Sequence, residues 1–404
     1  MKRNSILGSL VALSFAASSA LYATNGDTLI GVGAKTRAMG GAGIAFSHGA
    51  ESTLVNPALI THVQDTEISF GGTIFMPTVK TDIGPTGTYT KSDADISMIP
   101  AVALASQVRE NLFIGAGMWG TAGMGTDFRG NPGLFDMETT LQMMQFALPV
   151  AYKMGGLSLG IAPIVQYGSL DIHYVLPPAF GGPANIGDGQ HQDFGFGVNL
   201  GATYDFGNGI TLGAMYKSKI KMDYGNALVS ATAPFKVLPG FPQNIGSHLD
   251  QPAEFGIGLG WRSGPHGIAI DWRRIQWSSA SGYKQFGWDD QNIFAVGYQY
   301  DAGNWALRVG YNHGSNPVKI NNASPAQPGL AALDMFNLLG FPATVESHIT
   351  AGGSYVFNKN FSADFTLSYA LEKKSSADLS ALGMGEIKNK HHQLGLSVQL
   401  NYKF

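Results

Sequence analysis

The chain has 404 residues, of which 13% are charged and 11% aromatic, with 54 Gly, no Cys and a formal charge of −3. Soluble domains carry about 25% charged residues, so a length that would ordinarily mean two or three soluble domains is not read that way here. The small net charge gives no footprint for nucleic acid, and the lack of Cys excludes a disulfide framework, a thiolate metal site and a lipoprotein anchor.

Lys2 and Arg3 precede an apolar run, Ile6 to Ala20, that is too short to span a bilayer comfortably. This reads as a secretory signal over residues 1–23, cleaved after Ala23 or, as a fallback, after Ala20; an uncleaved anchor helix is the alternative. Beyond residue 23 there is no run of 18 apolar residues, so any membrane the protein crosses is crossed with strands. Residues 24–65 lack strand alternation. Gly31, Gly33, Gly40, Gly41, Gly43 and Gly49 are interspersed with Ala, and Asn56-Pro57 reads as a turn. A compact small-residue segment ahead of the strands suits a plug inside a wide barrel. As a periplasmic tail it would expose Leu54, Val55, Leu59 and Ile60 without purpose.

Residues 66–404 alternate between apolar and polar. Phe255, Ile257, Leu259 and Trp261 alternate with Glu254, Gly256, Gly258, Gly260 and Arg262, and Trp305 to Asn312 repeats the pattern. At the C-terminus Leu394, Leu396, Val398, Leu400, Tyr402 and Phe404 alternate with Gly395, Ser397, Gln399, Asn401 and Lys403. A soluble sandwich would alternate too, but here very short turns, such as Gly155-Gly156 and Ala302-Gly303, alternate with mostly longer loops. That is the outer-membrane pattern, as are aromatic residues at the ends of the apolar faces. The segments give about fourteen strands: 66–82, 94–108, 112–128, 138–154, 157–175, 192–206, 209–228, 251–263, 267–286, 291–301, 304–318, 346–357, 361–375 and 391–404. The fold class is therefore an all-β, 14-stranded antiparallel transmembrane barrel with an N-terminal hatch.

Asn25-Gly26, the stretch Gly31-Val32-Gly33-Ala34-Lys35-Thr36-Arg37-Ala38-Met39-Gly40-Gly41-Ala42-Gly43, and Asn56-Pro57-Ala58-Leu59 together resemble the FadL family of outer-membrane long-chain fatty-acid transporters. The likeness continues through Asp271-Trp272, Trp277-Ser278, Asn304-Trp305 and Ser315-Asn316-Pro317-Val318. The resemblance implies passive uptake: external capture, transfer to a lumenal pocket, and lateral exit at a kink in the third strand. That kink maps to Gly120, Gly123 and Gly125, and Gly within a strand itself permits a bend. Asn56, Pro57 and Ala58 form the hatch motif of the family.

A fatty acid needs a few basic donors beside apolar surface. Alternation turns Lys217, Lys219 and Lys221 inward near the external rim, and Arg273 and Arg308 face the lumen at about mid-membrane; lumenal ion pairing is the plainer role for them. Apolar loop residues Phe180, Leu238 and Phe241 suggest an external binding surface, or loops packed on one another. Leu330 to Phe341 reads as a short helix in another external loop. Gly156-Leu157-Ser158-Leu159-Gly160 matches the G-x-S-x-G elbow but opens a strand, where the elbow needs a strand-to-helix turn. No metal, cofactor or catalytic residue is expected. The expected partners are a long-chain fatty acid or another hydrophobic small molecule, outer-membrane lipid and lipopolysaccharide, and the assembly machinery through Phe404; the protein is expected to be a monomer. A lipid hydrolase and a general porin for polar solutes are the competing functions.

Overall fold

The computed structural model describes residues 24–84, 87–321 and 323–404; the expected signal, residues 1–23, lies outside them. Fourteen antiparallel strands form a closed barrel. They are β1 (Thr66–Ile83), β2 (Ser97–Arg109), β3 (Leu112–Asp127), β4 (Glu138–Ala147, continued by Val150–Met154), β5 (Leu157–Leu176), β6 (His191–Asp205) and β7 (Ile210–Lys217), followed by β8 (Glu254–Ser263), β9 (His266–Ile275), β10 (Gln291–Asp301), β11 (Trp305–Gly314), β12 (Ser347–Val356), β13 (Phe361–Asp378) and β14 (Glu386–Lys403). Each pairs with the next, and β14 closes on β1 with every residue from Ile387 to Lys403 in register against Ile83 to Glu67.

The period-2 pattern sorts side chains as a barrel in lipid requires. On β14, Val398 and Leu400 point outward and are exposed, while Ser397, Gln399 and Asn401 point inward and are buried. They are buried because residues 24–65 fill the lumen. This segment has one short helix, α1 (Ala34–Ala38), and 3-10 turns at Gly49–Leu54 and Pro57–His62. With so little regular structure its backbone polar groups need partners elsewhere, and lumen-facing side chains provide many of them. Thr24 N–H donates to Gln393, Ala34 N–H to Gln399, Gly40 N–H to Thr350, and the Gly43 and Ile44 N–H groups both to Asp271. Lumenal glycines let the hatch backbone approach the wall. A Cβ at Gly310 would lie 2.1 Å from the Gly40 nitrogen, and one at Gly201 1.8 Å from the Asn56 side-chain oxygen.

Three strands differ most from the reading by alternation, while β14 begins five residues earlier than expected, at Glu386, and β11 ends four earlier, at Gly314. Strand β4 breaks at Leu148-Pro149, because Pro has no N–H for the ladder. Strand β7 stops at Lys217, not 228, and β9 stops at Ile275, not 286. The residues beyond β7 do alternate, but Ile220, Met222 and Tyr224 use that alternation to pack on Gly197, Gly195 and Gly168. That stretch lies across the inner surface of the wall outside the β7–β8 ladder, joined to the segment before β8 by isolated bridges such as Ile220–Gln251. The loops after β7 and β11 carry helices α2 (Ala227–Thr232) and α3 (Pro328–Gly340). The C-terminal end of α3 enters the barrel mouth, where the Leu339 and Gly340 carbonyls accept bonds from Thr126 and Thr139.

Candidate functional site: a lumenal cavity beside a gap in the wall

Strand β3 pairs with β2 only as far as Trp119, opposite Ala101. Just beyond, the ladder to β4 runs Gly120–Met144 and then Ala122–Met143, so Thr121 is an extra residue, a β-bulge. Pro100, which has no N–H to offer, stands where β2 loses its neighbour. The external end of β3 is thus attached to β4 but not to β2. An unpaired strand edge facing lipid would cost several kcal/mol per polar group, and the hatch supplies partners instead: Thr28 bridges Ala122, and Gly123 N–H donates to the Asp27 carbonyl at 3.0 Å. Above the gap, Ser92 N–H donates to Val79 and Asp127 N–H to the Ser92 hydroxyl, tying β1 and β3 across it. The opening is lined by Pro77, Val79, Gly123, Met124, Gly125, Pro342 and Ala343, with Thr24 and His391 as its polar members. Of the three glycines singled out in β3, Gly123 and Gly125 line it and Gly120 precedes the bulge. The Asn56-Pro57-Ala58 turn is elsewhere, against Gly160 and Gly201; the hatch residues at the gap are Asp27 and Thr28.

Inside the gap is a cavity of about 50 Å³ between the hatch and β3–β9. Its walls include Ile30, Val32, Leu54, Trp119, Met215 and Ile275, and Thr121 of the bulge opens onto it. Its charges are Lys217, Glu254 and Arg273. Lys217 ends β7 directly opposite Glu254, which begins β8. Arg273, on β9, crosses over Gly256, where a Cβ would meet its chain at 3.0 Å. Lys217 Nζ lies 3.1 Å and an Arg273 terminal nitrogen 3.2 Å from the Glu254 carboxylate.

The remaining candidates are placed elsewhere. Because the ladder stops at Lys217, Lys219 is exposed, 4.0 Å from Asp250, and does not line the cavity. Arg308 faces the lumen but opens on a separate polar cavity at the periplasmic turns, with Lys35, Asp301 and Asp364; it donates to Gln299 and Ser354. Phe241 is not an exposed patch. It is 3% exposed, its ring 5.8 Å from that of Phe235 and its backbone against Gly329 of α3. Leu238 and Phe180 also pack partly on this core, with Phe180 6.2 Å from Phe135. Loops folded on one another explain these residues. Ser158 sits within β5, sharing a 2.8 Å hydrogen bond with Thr61, and no strand-to-helix turn is present there.

Alternation did not single out Glu254, or the aromatic cluster Trp277, Tyr283 and Trp288. These three rings lie with centroids 4.7–5.1 Å apart, and the Tyr283 hydroxyl donates to Asp27. Leu228, Leu249, Phe286 and Phe341 join Tyr283, Trp288 and Met124 around an apolar pocket above the gap. Burial pushes the Asp27 carboxyl up to about 7, against the opposing effect of the Tyr283 bond. A raised folded-state value makes this contribution to docking complete below the ordinary carboxylate range and lost as pH rises through about 7. Residues 24–30 are therefore expected to show stronger amide-exchange protection, corrected for intrinsic rate, at pH 5 than at pH 8. D27N, which can still accept from Tyr283, should remove the difference; a wild-type protein with equal protection at both pH values would disprove the coupling.

The family model described as "Outer membrane protein transport protein (OMPP1/FadL/TodX)" matches residues 10–404. The long-chain fatty acid transport protein of Escherichia coli O6:H1 is 25% identical over 388 residues, covering 82% of this chain and 83% of that one. A 47 kDa outer membrane protein of Pasteurella multocida is 24% identical over 392 residues, with 89% of each chain covered. Among solved structures, a Pseudomonas aeruginosa FadL homologue superposes with TM-score 0.73 at 15% identity, over 94% of this chain and 100% of that one. The Pseudomonas putida toluene transporter TodX does so with TM-score 0.69 at 19% identity, again over 94% and 100%.

Proposed function

The chain belongs to the outer membrane protein transport protein family (OMPP1/FadL/TodX), an integral outer-membrane transporter of hydrophobic compounds, and from that premise we propose that its cargo, long-chain fatty acids foremost, leaves the lumen sideways at β3. In this reading external loops capture the ligand, the cavity at Lys217 and Arg273 holds it, and the gap beside the Thr121 bulge releases it into lipid. The observation that carries the proposal is the end of the β2–β3 ladder at Trp119, with the same residue lining the cavity. The periplasmic end of the barrel holds a polar cavity lined by Lys35, Asp301, Arg308, Asp364 and Lys403, and an apolar ligand leaving straight down would enter water beyond it, at a cost of about 0.8 kcal/mol per exposed methylene. Delivery into the bilayer avoids that cost.

Aromatic hydrocarbons are a second reading, favoured by the ring-lined pocket at Tyr283, Phe286 and Trp288 and by the fold shared with a toluene transporter. Growth of a deletion strain on a long-chain fatty acid, an alkane or toluene as sole carbon source separates the cargoes. Loss of growth on the fatty acid alone is the expected result, and unimpaired growth on all three would reject the proposal. Replacing Lys217 or Arg273 by Met should weaken fatty-acid binding about tenfold or more, since a charged hydrogen bond contributes about 1.5–3 kcal/mol, and leave alkane binding unchanged. Replacing Lys219 should alter neither. Equal loss for both ligands would mark structural damage in place of a carboxylate contact.

A further inference from the structure

We infer that Glu254 is the specificity-determining residue of the lumenal cavity, a counter-ion shared by two cations so that one positive charge is left for a single ligand carboxylate. This rests on the reading that the cavity holds a hydrophobic ligand, and it names the ligand's head group.

The geometry is a three-member charge cluster. Lys217 approaches one Glu254 oxygen and Arg273 the other, at 3.1 and 3.2 Å. Among the described residues neither cation has another acid within 4 Å. The next carboxylate on the inner face of β9, Asp271, accepts from the Gly43 and Ile44 N–H groups and forms no ion pair there. Arg273 spends one further N–H on the Ile30 carbonyl, 3.3 Å away, and its Nε is buried with no partner. Arg273 and Glu254 are almost fully buried, 7% and 6% exposed. A buried guanidinium with an idle donor beside a half-shared carboxylate is under-satisfied. A monocarboxylate whose head group enters this cavity of about 50 Å³ would complete it, with its oxygens toward Lys217 Nζ and the accessible part of the Arg273 guanidinium and the start of its tail along Ile30, Leu54 and Trp119. A neutral alcohol of equal length would gain the apolar contacts without the charge pairing, and a dicarboxylate would bring one charge too many. Glu254 thus has two effects. It keeps the empty cavity from holding two bare cations, and it competes with the ligand for both.

Trp119 lines the same cavity, so quenching of tryptophan fluorescence in the purified full-length barrel reads occupancy, with W119F identifying the signal. The probes are palmitate and hexadecanol. Glu254→Gln keeps shape and hydrogen bonding while removing the competing charge. It should tighten palmitate binding about tenfold, the scale of one charge-assisted bond, and leave hexadecanol unchanged. Glu254→Asp, which keeps the charge, should stay close to the parent ratio of the two affinities. Heat-modifiable migration on gels verifies that each barrel is folded. If Glu254→Gln shifts palmitate and hexadecanol equally, or weakens palmitate, the inference about Glu254 is wrong and the transport reading stands. If neither probe binds the parent protein, both fall.

Discussion

A barrel lacking residues 24–65 should fold and conduct steadily in a planar bilayer, with a conductance roughly an order of magnitude above that of the intact protein, because fourteen strands enclose a lumen wide enough for water once nothing fills it. Folding should survive because the strands pair among themselves. The side chains that now hold the hatch, among them Asp271, Thr350, Gln393 and Gln399, are polar and would exchange hatch partners for water. A truncated barrel no more conductive than the parent would mean that the external loops alone seal the mouth. Helix α3 and the loop after β9 are the elements placed to do so.

Deleting Thr121 should reduce uptake to the level of cells without the protein while leaving the barrel folded and ligand binding nearly intact. Its neighbours Gly120 and Ala122 already oppose consecutive residues of β4, Met144 and Met143. Removing it therefore takes out the bulge without disturbing that ladder. The external end of β3 can then continue toward β2 beyond Trp119, and each new ladder bond formed in lipid would cost several kcal/mol to reopen. The cavity that reads binding keeps Lys217, Glu254 and Arg273. Undiminished uptake by the deletion variant would rule out the side exit.

The barrel was legible in the sequence because its signal is local. Alternation on β8, β11 and β14, with short and long connections in turn, needs no knowledge of partners. Alternation misled where the chain uses it against a different surface. Residues 218–224 look like a continued β7, yet they lie over Gly168, Gly195 and Gly197, and only the assembled wall shows those glycines facing them. The candidate site was legible in part for the same reason. The inward direction of Lys217 and Arg273 follows from parity, but their sharing of Glu254 depends on the β7–β8 register. Trp277 and Tyr283 belong to the hatch site only because the loop after β9 turns into the mouth, and Asp27 carries no sequence signal for a partner 256 positions away.

The seam between β14 and β1 also bears on how the barrel closes in folding. The hatch lies immediately before β1 in the chain, and it is bonded to both sides of the seam: Ala50 N–H to Glu67 on β1, and Thr24 and Ala34 to Gln393 and Gln399 on β14. That seam joins strands more than 300 positions apart in sequence, so its formation carries the largest loop-closure entropy in the chain. Because the hatch is bonded to strands on both sides of that seam, a plug held against β1 offers the arriving β14 side chains a template to dock on, and lowers the entropy left to lose when the seam closes.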